Sequence, residues 1–168
     1  MIDHSGLEEL FYDELARSFV GLRVDPSVEV RSYLVLLLSD MARRPLDDGP
    51  FGRRLLEARS SVELRTIGDG ALFLSGFFPE RLARQGIPSS YYSSVGSSAY
   101  SRLGHAVYGE MAQRFPELQR VLRDVRGSCD AHGLDAPSAC VRWLQTRSPV
   151  LERRLVSLGV ILRDAGEA

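Results

Sequence analysis

Apolar residues recur along this chain three and four positions apart, the period of α-helices that each bury one face. Leu7, Leu10, Phe11, Leu15, Phe19 and Leu22 make the first stripe, behind Ser5 and Glu8, which have the S-x-x-E spacing of a capping box. Asp25-Pro26 reads as a cap followed by proline in a first turn, and Val30, Tyr33, Leu34, Leu37 and Met41 form the buried side of a second helix. Leu36 and Leu38 widen that stripe, and Arg43-Arg44 with Pro45 close it. After the turn-forming segment 45–50, a third helix carries Phe51, Leu55, Ala58 and Val62, ending near Gly68 or running on with a kink. The apolar segment Gly70 to Phe78 lacks β-branched residues and is read as helix. Ile87-Pro88-Ser89 is a break, and one long helix is expected from there to Phe115. Leu118, Val121, Leu122, Val125 and Cys129 make an amphipathic helix ending near Gly133, and Pro137 and Pro149 mark two further starts.

These elements predict an all-α protein: one helical domain over 1–168, a bundle or array of seven to eight helices. The expected core is Leu15, Phe19, Leu34, Leu37, Leu55, Phe73, Phe77, Leu103, Leu122, Val125, Trp143 and Leu155. The length suits one domain that buries roughly 70% of its unfolded surface. At 44% hydrophobic and 26% charged the chain is in the globular range.

Charge removes several functions. With 21 basic and 22 acidic residues the net charge is -1, so there is no general excess to neutralise a phosphate backbone, and no nucleic-acid partner is expected. A helix-turn-helix in Pro137–Arg163 is disfavoured further because Leu151, Leu155 and Leu158 look committed to a core. Every basic residue is arginine; with no lysine there is no Schiff base and no phosphate-loop lysine. The longest apolar run, Leu34 to Leu38, is far short of the ~20 residues that cross a bilayer. No membrane association is expected, and with no visible targeting segment and only two cysteines a cytoplasmic location is. Cys129, His132 and Cys140 offer three ligands where structural zinc wants four, so no metal or cofactor is expected.

Candidate chemistry collects in one block: Gly68-Asp69-Gly70-Ala71-Leu72-Phe73-Leu74-Ser75-Gly76-Phe77-Phe78-Pro79, then Tyr91-Tyr92 and Val95-Gly96-Ser97-Ser98-Ala99-Tyr100. The pattern, GD..LF.SGFFP and then YY..-G..AY, resembles a family of bacterial proteins with no assigned activity. The resemblance implies a cytosolic bacterial protein and implies no reaction. Read physically, Asp69 in an apolar context either caps the helix that follows or is an acid facing a pocket. Ser75 is not in the G-x-S-x-G context of a nucleophile elbow. Gly96, Tyr100, Gly104 and Tyr108 fall at i, i+4, i+8 and i+12 of the expected long helix, with Ser93, Ser97 and Ser101 alongside and His105 next to the stripe. That stripe is either a tight helix crossing or a hydroxyl-lined groove. The functional expectation is a non-enzymatic binding or regulatory module acting through protein–protein contacts, with a protein partner or self-association. Asp69, Ser75, Tyr91, Tyr92, Ser97, Tyr100 and His105 are its candidate binding residues. The alternative is a small-molecule-binding protein or enzyme whose pocket gathers Asp69, Ser75, Tyr91, Tyr92, Tyr100 and His105.

Overall fold

A computed structural model describes residues 4–44, 47, 49–132, 152, 153, 155, 156 and 159. Among them the chain forms eight α-helices and no strand: α1 (His4–Leu22), α2 (Val28–Met41), α3 (Phe51–Glu57), α4 (Ser61–Phe77), α5 (Pro79–Arg84), α6 (Ser89–Ser101), α7 (Ala106–Gln113) and α8 (Phe115–His132). The all-α class and the helix number agree with the periodicity. The chain divides into two compact units, Met1–Arg123 and Asp124–Ala168.

In the first unit α1 packs along α2, and α4 packs most extensively on α6, with α3, α5 and α7 around that pair. Phe11, Leu15 and Phe19 of α1, Leu34 and Leu38 of α2, Leu72 and Leu74 of α4, and Leu118 and Leu122 of α8 are buried. Of the expected core, Leu15, Phe19, Leu34, Leu37, Phe73, Phe77, Leu122, Val125 and Leu155 are buried, whereas Leu55 and Leu103 are only half-buried. Trp143 lies outside the described residues, as do Pro137, Pro149 and Cys140.

Helix ends account for most departures from expectation. α1 already includes Ser5 in its first turn. Ser27, not Asp25, caps α2, accepting from the Val30 N–H at 3.3 Å. The expected third helix breaks at Ala58, because Ser60 and Glu63 form a reciprocal capping box that starts α4. α4 then runs unbroken through Gly68 and Gly70 to Phe77. The long helix expected from Ser89 to Phe115 is three elements: α6 stops at Ser101, Gly104 adopts φ +75° in the turn, and α7 ends before Phe115.

Two helices end in the same hydrogen-bonded motif. After α1 the Arg23 N–H donates to the Val20 carbonyl and the Val24 N–H to the Phe19 carbonyl. After α5, Gly86 and Ile87 repeat this with Ala83 and Leu82. The motif needs a left-handed residue, which Gly86 (φ +70°) supplies freely and Arg23 (φ +55°) supplies against steric resistance.

Candidate functional site

The Gly68–Tyr100 block is the crossing of α4 and α6. Asp69 sits in the middle of α4 and caps no helix, which corrects the capping expectation. Its Oδ1 accepts hydrogen bonds from the Tyr33 hydroxyl of α2 and the Tyr100 hydroxyl of α6, both at 2.7 Å. One carboxylate oxygen thus joins three helices. The Tyr108 ring of α7 stacks on Tyr100, with centroids 5.8 Å apart, and meets Tyr33 edge-on at 5.5 Å.

Burial pushes the Asp69 carboxyl above the usual carboxylate range, against the opposing pull of the Tyr33 and Tyr100 hydroxyls and of Arg65. Burial and the neighbouring Asp69 carboxylate together drive the Tyr33 and Tyr100 phenols far up, so both remain protonated donors. Hydrogen bonding to Tyr108 holds the exposed Arg65 guanidinium above its ordinary value. Tyr33, Arg65 and Tyr108 thus complete a cluster of which the sequence pattern marked Asp69 and Tyr100 as candidates. Tyr33 was legible only as a core position, and Arg65, on the exposed side of α4, carried no signal.

The glycines of the block are explained by packing. A Cβ on Gly68 would lie 2.6 Å from Cε1 of Tyr100, so the fully buried Tyr100 ring occupies that space. A Cβ on Gly96 would run into the Phe115 ring and lie 3.2 Å from the Cβ of Ala71. The i, i+4, i+8, i+12 stripe is not a single helix face: Gly96 and Tyr100 belong to α6, Gly104 to a turn and Tyr108 to α7. Tyr100 and Tyr108 meet all the same, because the turn folds α7 back.

The other candidates are held by different neighbours. Ser75 is wholly buried; its hydroxyl donates to the Ala71 carbonyl at 2.6 Å and accepts from Gln119 Nε2 of α8 at 2.7 Å. Gln119 Oε1 in turn accepts from the Ser93 hydroxyl at 2.8 Å, making a polar chain from α4 through α8 to α6. Tyr91 is exposed, and its hydroxyl accepts the Gly52 N–H at the start of α3 at 3.0 Å. Tyr92 is buried against the edge of Phe51, with centroids 5.9 Å apart. Ser97 is half-buried on α6. His105 is exposed at the N-cap position of α7, makes no side-chain cap, and presents its ring to Tyr108 at 6.3 Å. The structure therefore brings Asp69 and Tyr100 together, with His105 at the outer edge of their tyrosine cluster, and sends Ser75, Tyr91 and Tyr92 elsewhere.

Two concave surfaces lie away from these residues. A recess of about 260 Å³ at the α3–α4 corner is bordered by Arg54, Glu57, Val62 and Thr66. A larger cleft of about 660 Å³ lies between α5 and the start of α6, walled by Pro79, Leu82, Ala83, Ile87 and Pro88, with Arg123 of α8 on its lining. Nothing in the residue pattern marked this cleft beyond the chain break at Ile87-Pro88-Ser89.

Among the described residues no group of three His, Cys, Asp or Glu side chains is placed to hold a metal ion, and no helix is long and apolar enough to cross a membrane. The chain matches no family model, no curated protein and no solved structure among those it was compared with.

Proposed function

We propose that this protein is a non-enzymatic binding module that acts through protein–protein contacts. One observation carries the reading: Asp69, Ser75, Tyr91 and Tyr100, four of the candidate residues, use their polar groups to hold helices together. The Ser75 proton goes to a backbone carbonyl one turn back and Tyr91 receives a backbone N–H. Asp69 already accepts two phenols on one oxygen. A nucleophile needs a base within hydrogen-bond reach and an open place for substrate, and Ser75 is wholly enclosed beside an amide. The larger of the two concave surfaces is mostly apolar and lies away from these residues, as suits a groove that takes a segment of another protein. The proposal includes a bacterial, cytosolic setting, supported by the resemblance of the Gly68–Tyr100 pattern.

The test is reconstitution. Proteins captured by the tagged chain from its host are purified and mixed with it, and the complex is weighed by light scattering. A partner that forms a complex of defined stoichiometry supports the proposal. Failure of every captured protein to re-form a complex, together with a metabolite that raises the melting temperature, would overturn it in favour of a small-molecule site.

A further inference from the structure

We propose that the cleft between α5 and α6 is a docking groove for a peptide segment of a partner protein, one that offers an apolar side chain flanked by carboxylates. This rests on the binding-module reading and names the surface and the chemistry that reading leaves open.

The groove follows from how the chain passes between the two helices. α5 is held to six residues by the Gly86 turn, whose left-handed φ of +70° reverses the chain. Pro88 then biases Ile87 away from helix and is itself extended, with ψ 144°, before α6 begins. The two helices separate around this step and leave about 660 Å³ open between them. A Cβ built on Gly86 meets nothing within 4 Å, so the turn does not close the space. The walls are side chains without charge: Pro79, Leu82, Ala83, Ile87 and Pro88. That volume suits one or two large apolar side chains of a ligand.

Charge selects the flanks. Arg123 is the charged residue of the lining, is exposed, and makes no ion pair with a described residue. Just outside the lining, Glu80 follows Pro79 and Arg84 follows Ala83, both exposed, so the lining itself carries only positive charge. The one hydrogen bond of Arg123 to a described residue is a long one, 3.5 Å, to the Ser75 carbonyl, and its remaining guanidinium donors form a fork that suits a carboxylate. Among the described residues no acid lines the cleft, and Arg123 there would repel a basic side chain. Six of the thirteen other arginines of the first unit, Arg17, Arg31, Arg44, Arg53, Arg54 and Arg114, pair with acids on neighbouring turns or loops.

A random peptide library displayed on phage and selected against the intact protein tests the proposal directly. The expected result is enrichment of segments with Leu, Ile, Met or Phe beside Asp or Glu. A fluorescein-labelled selected peptide should then lose affinity about tenfold or more, measured by polarisation, when its acids become amides or when the protein carries Arg123→Glu or Ala83→Trp. Ala83 is exposed, so Ala83→Trp fills the groove without entering the core, and its melting temperature should match the wild type. That variant keeps the test decisive if Arg123→Glu disturbs the fold. Enrichment of a non-acidic class, or unchanged affinity in Ala83→Trp, overturns the proposal. So does a wild-type dimer that Ala83→Trp dissociates, or binding to phosphatidylglycerol vesicles in place of peptide. A natural partner that Ala83→Trp still captures would remove the groove but leave the binding-module reading standing; no partner and no selected peptide would remove both.

Discussion

Replacing Asp69 by asparagine or by alanine separates the charge of the Asp69 cluster from its geometry. Asp69→Ala deletes the acceptor shared by Tyr33 and Tyr100 and leaves two hydroxyls unpaired, one of them on the fully enclosed Tyr100. An unsatisfied buried donor costs about 1–3 kcal/mol, so Asp69→Ala should destabilise by about 2–5 kcal/mol, the Tyr33 end contributing less because it is only half-buried. Asp69→Asn keeps a carbonyl oxygen able to accept both phenols. It weakens two charge-assisted bonds and also removes a desolvated charge, and these changes oppose each other, so the net change at neutral pH should be within about 1 kcal/mol.

The pH dependence has a definite sign. Burial raises the folded-state Asp69 carboxyl above its ordinary value of 3.8. The unfolded chain therefore gives up this proton more readily. The stability contributed by protonated Asp69 is complete below about pH 3.8 and is lost as pH rises through the higher folded-state value. Other carboxylates run the opposite way: Asp47, Glu63 and Glu110 are held below their ordinary range. Glu110 is held down even though burial acts to raise it, because Ser27 and Arg114 bind its charged form. Their contributions fade as pH falls, so the Asp69 effect has to be read as a difference between variants. Urea denaturation followed by circular dichroism between pH 3.5 and 7 should show wild type losing stability relative to Asp69→Asn as pH rises. A flat difference, or an Asp69→Ala penalty below about 1 kcal/mol, would refute the account of a strained acid locking three helices.

Three other outcomes follow from packing and backbone geometry. Gly96→Ala should cost about 1–3 kcal/mol, because its methyl enters the Phe115 ring, and an unchanged melting temperature would mean that α6 can slide away from α8. Arg23→Gly should raise stability by about 1 kcal/mol in denaturant titration, since it keeps the helix-ending motif and removes the left-handed strain at φ +55°. Phe73→Ala should cost about 3–5 kcal/mol, as Phe73 is 8% exposed and stacks on Phe77 at 5.0 Å; a loss below about 1 kcal/mol would make this aromatic group a surface rather than core.

The helical class, the approximate number of helices and most of the core were legible in the residue order, because helix formation and one-sided burial are local and periodic. Phe11, Leu15 and Phe19 recur every fourth residue, so any helix containing them presents them together. Boundaries were less legible wherever two local signals competed. Ser60 and Glu63 carry the same S-x-x-E spacing as Ser5 and Glu8, yet the first pair begins a helix and the second lies within α1. Gly104 has the spacing of a helix face, and the structure uses it to turn the chain.

The candidate block was found through its unusual composition, but its use depended on what meets it from elsewhere. Asp69 in isolation is consistent with a cap, a base or a buried acceptor. Tyr33, 36 positions earlier, and Tyr100, 31 positions later, determine that it is an acceptor. Gln119 decides the fate of Ser75 in the same way, across 44 positions. The cleft between α5 and α6 exists because two helices diverge, and an absence of atoms has no residue to mark it. Sequence by itself determined which faces must be buried, since hydrophobic periodicity acts along the chain. Only tertiary structure decided which polar groups are paired and which surface stays open, since those depend on residues that the chain places far apart.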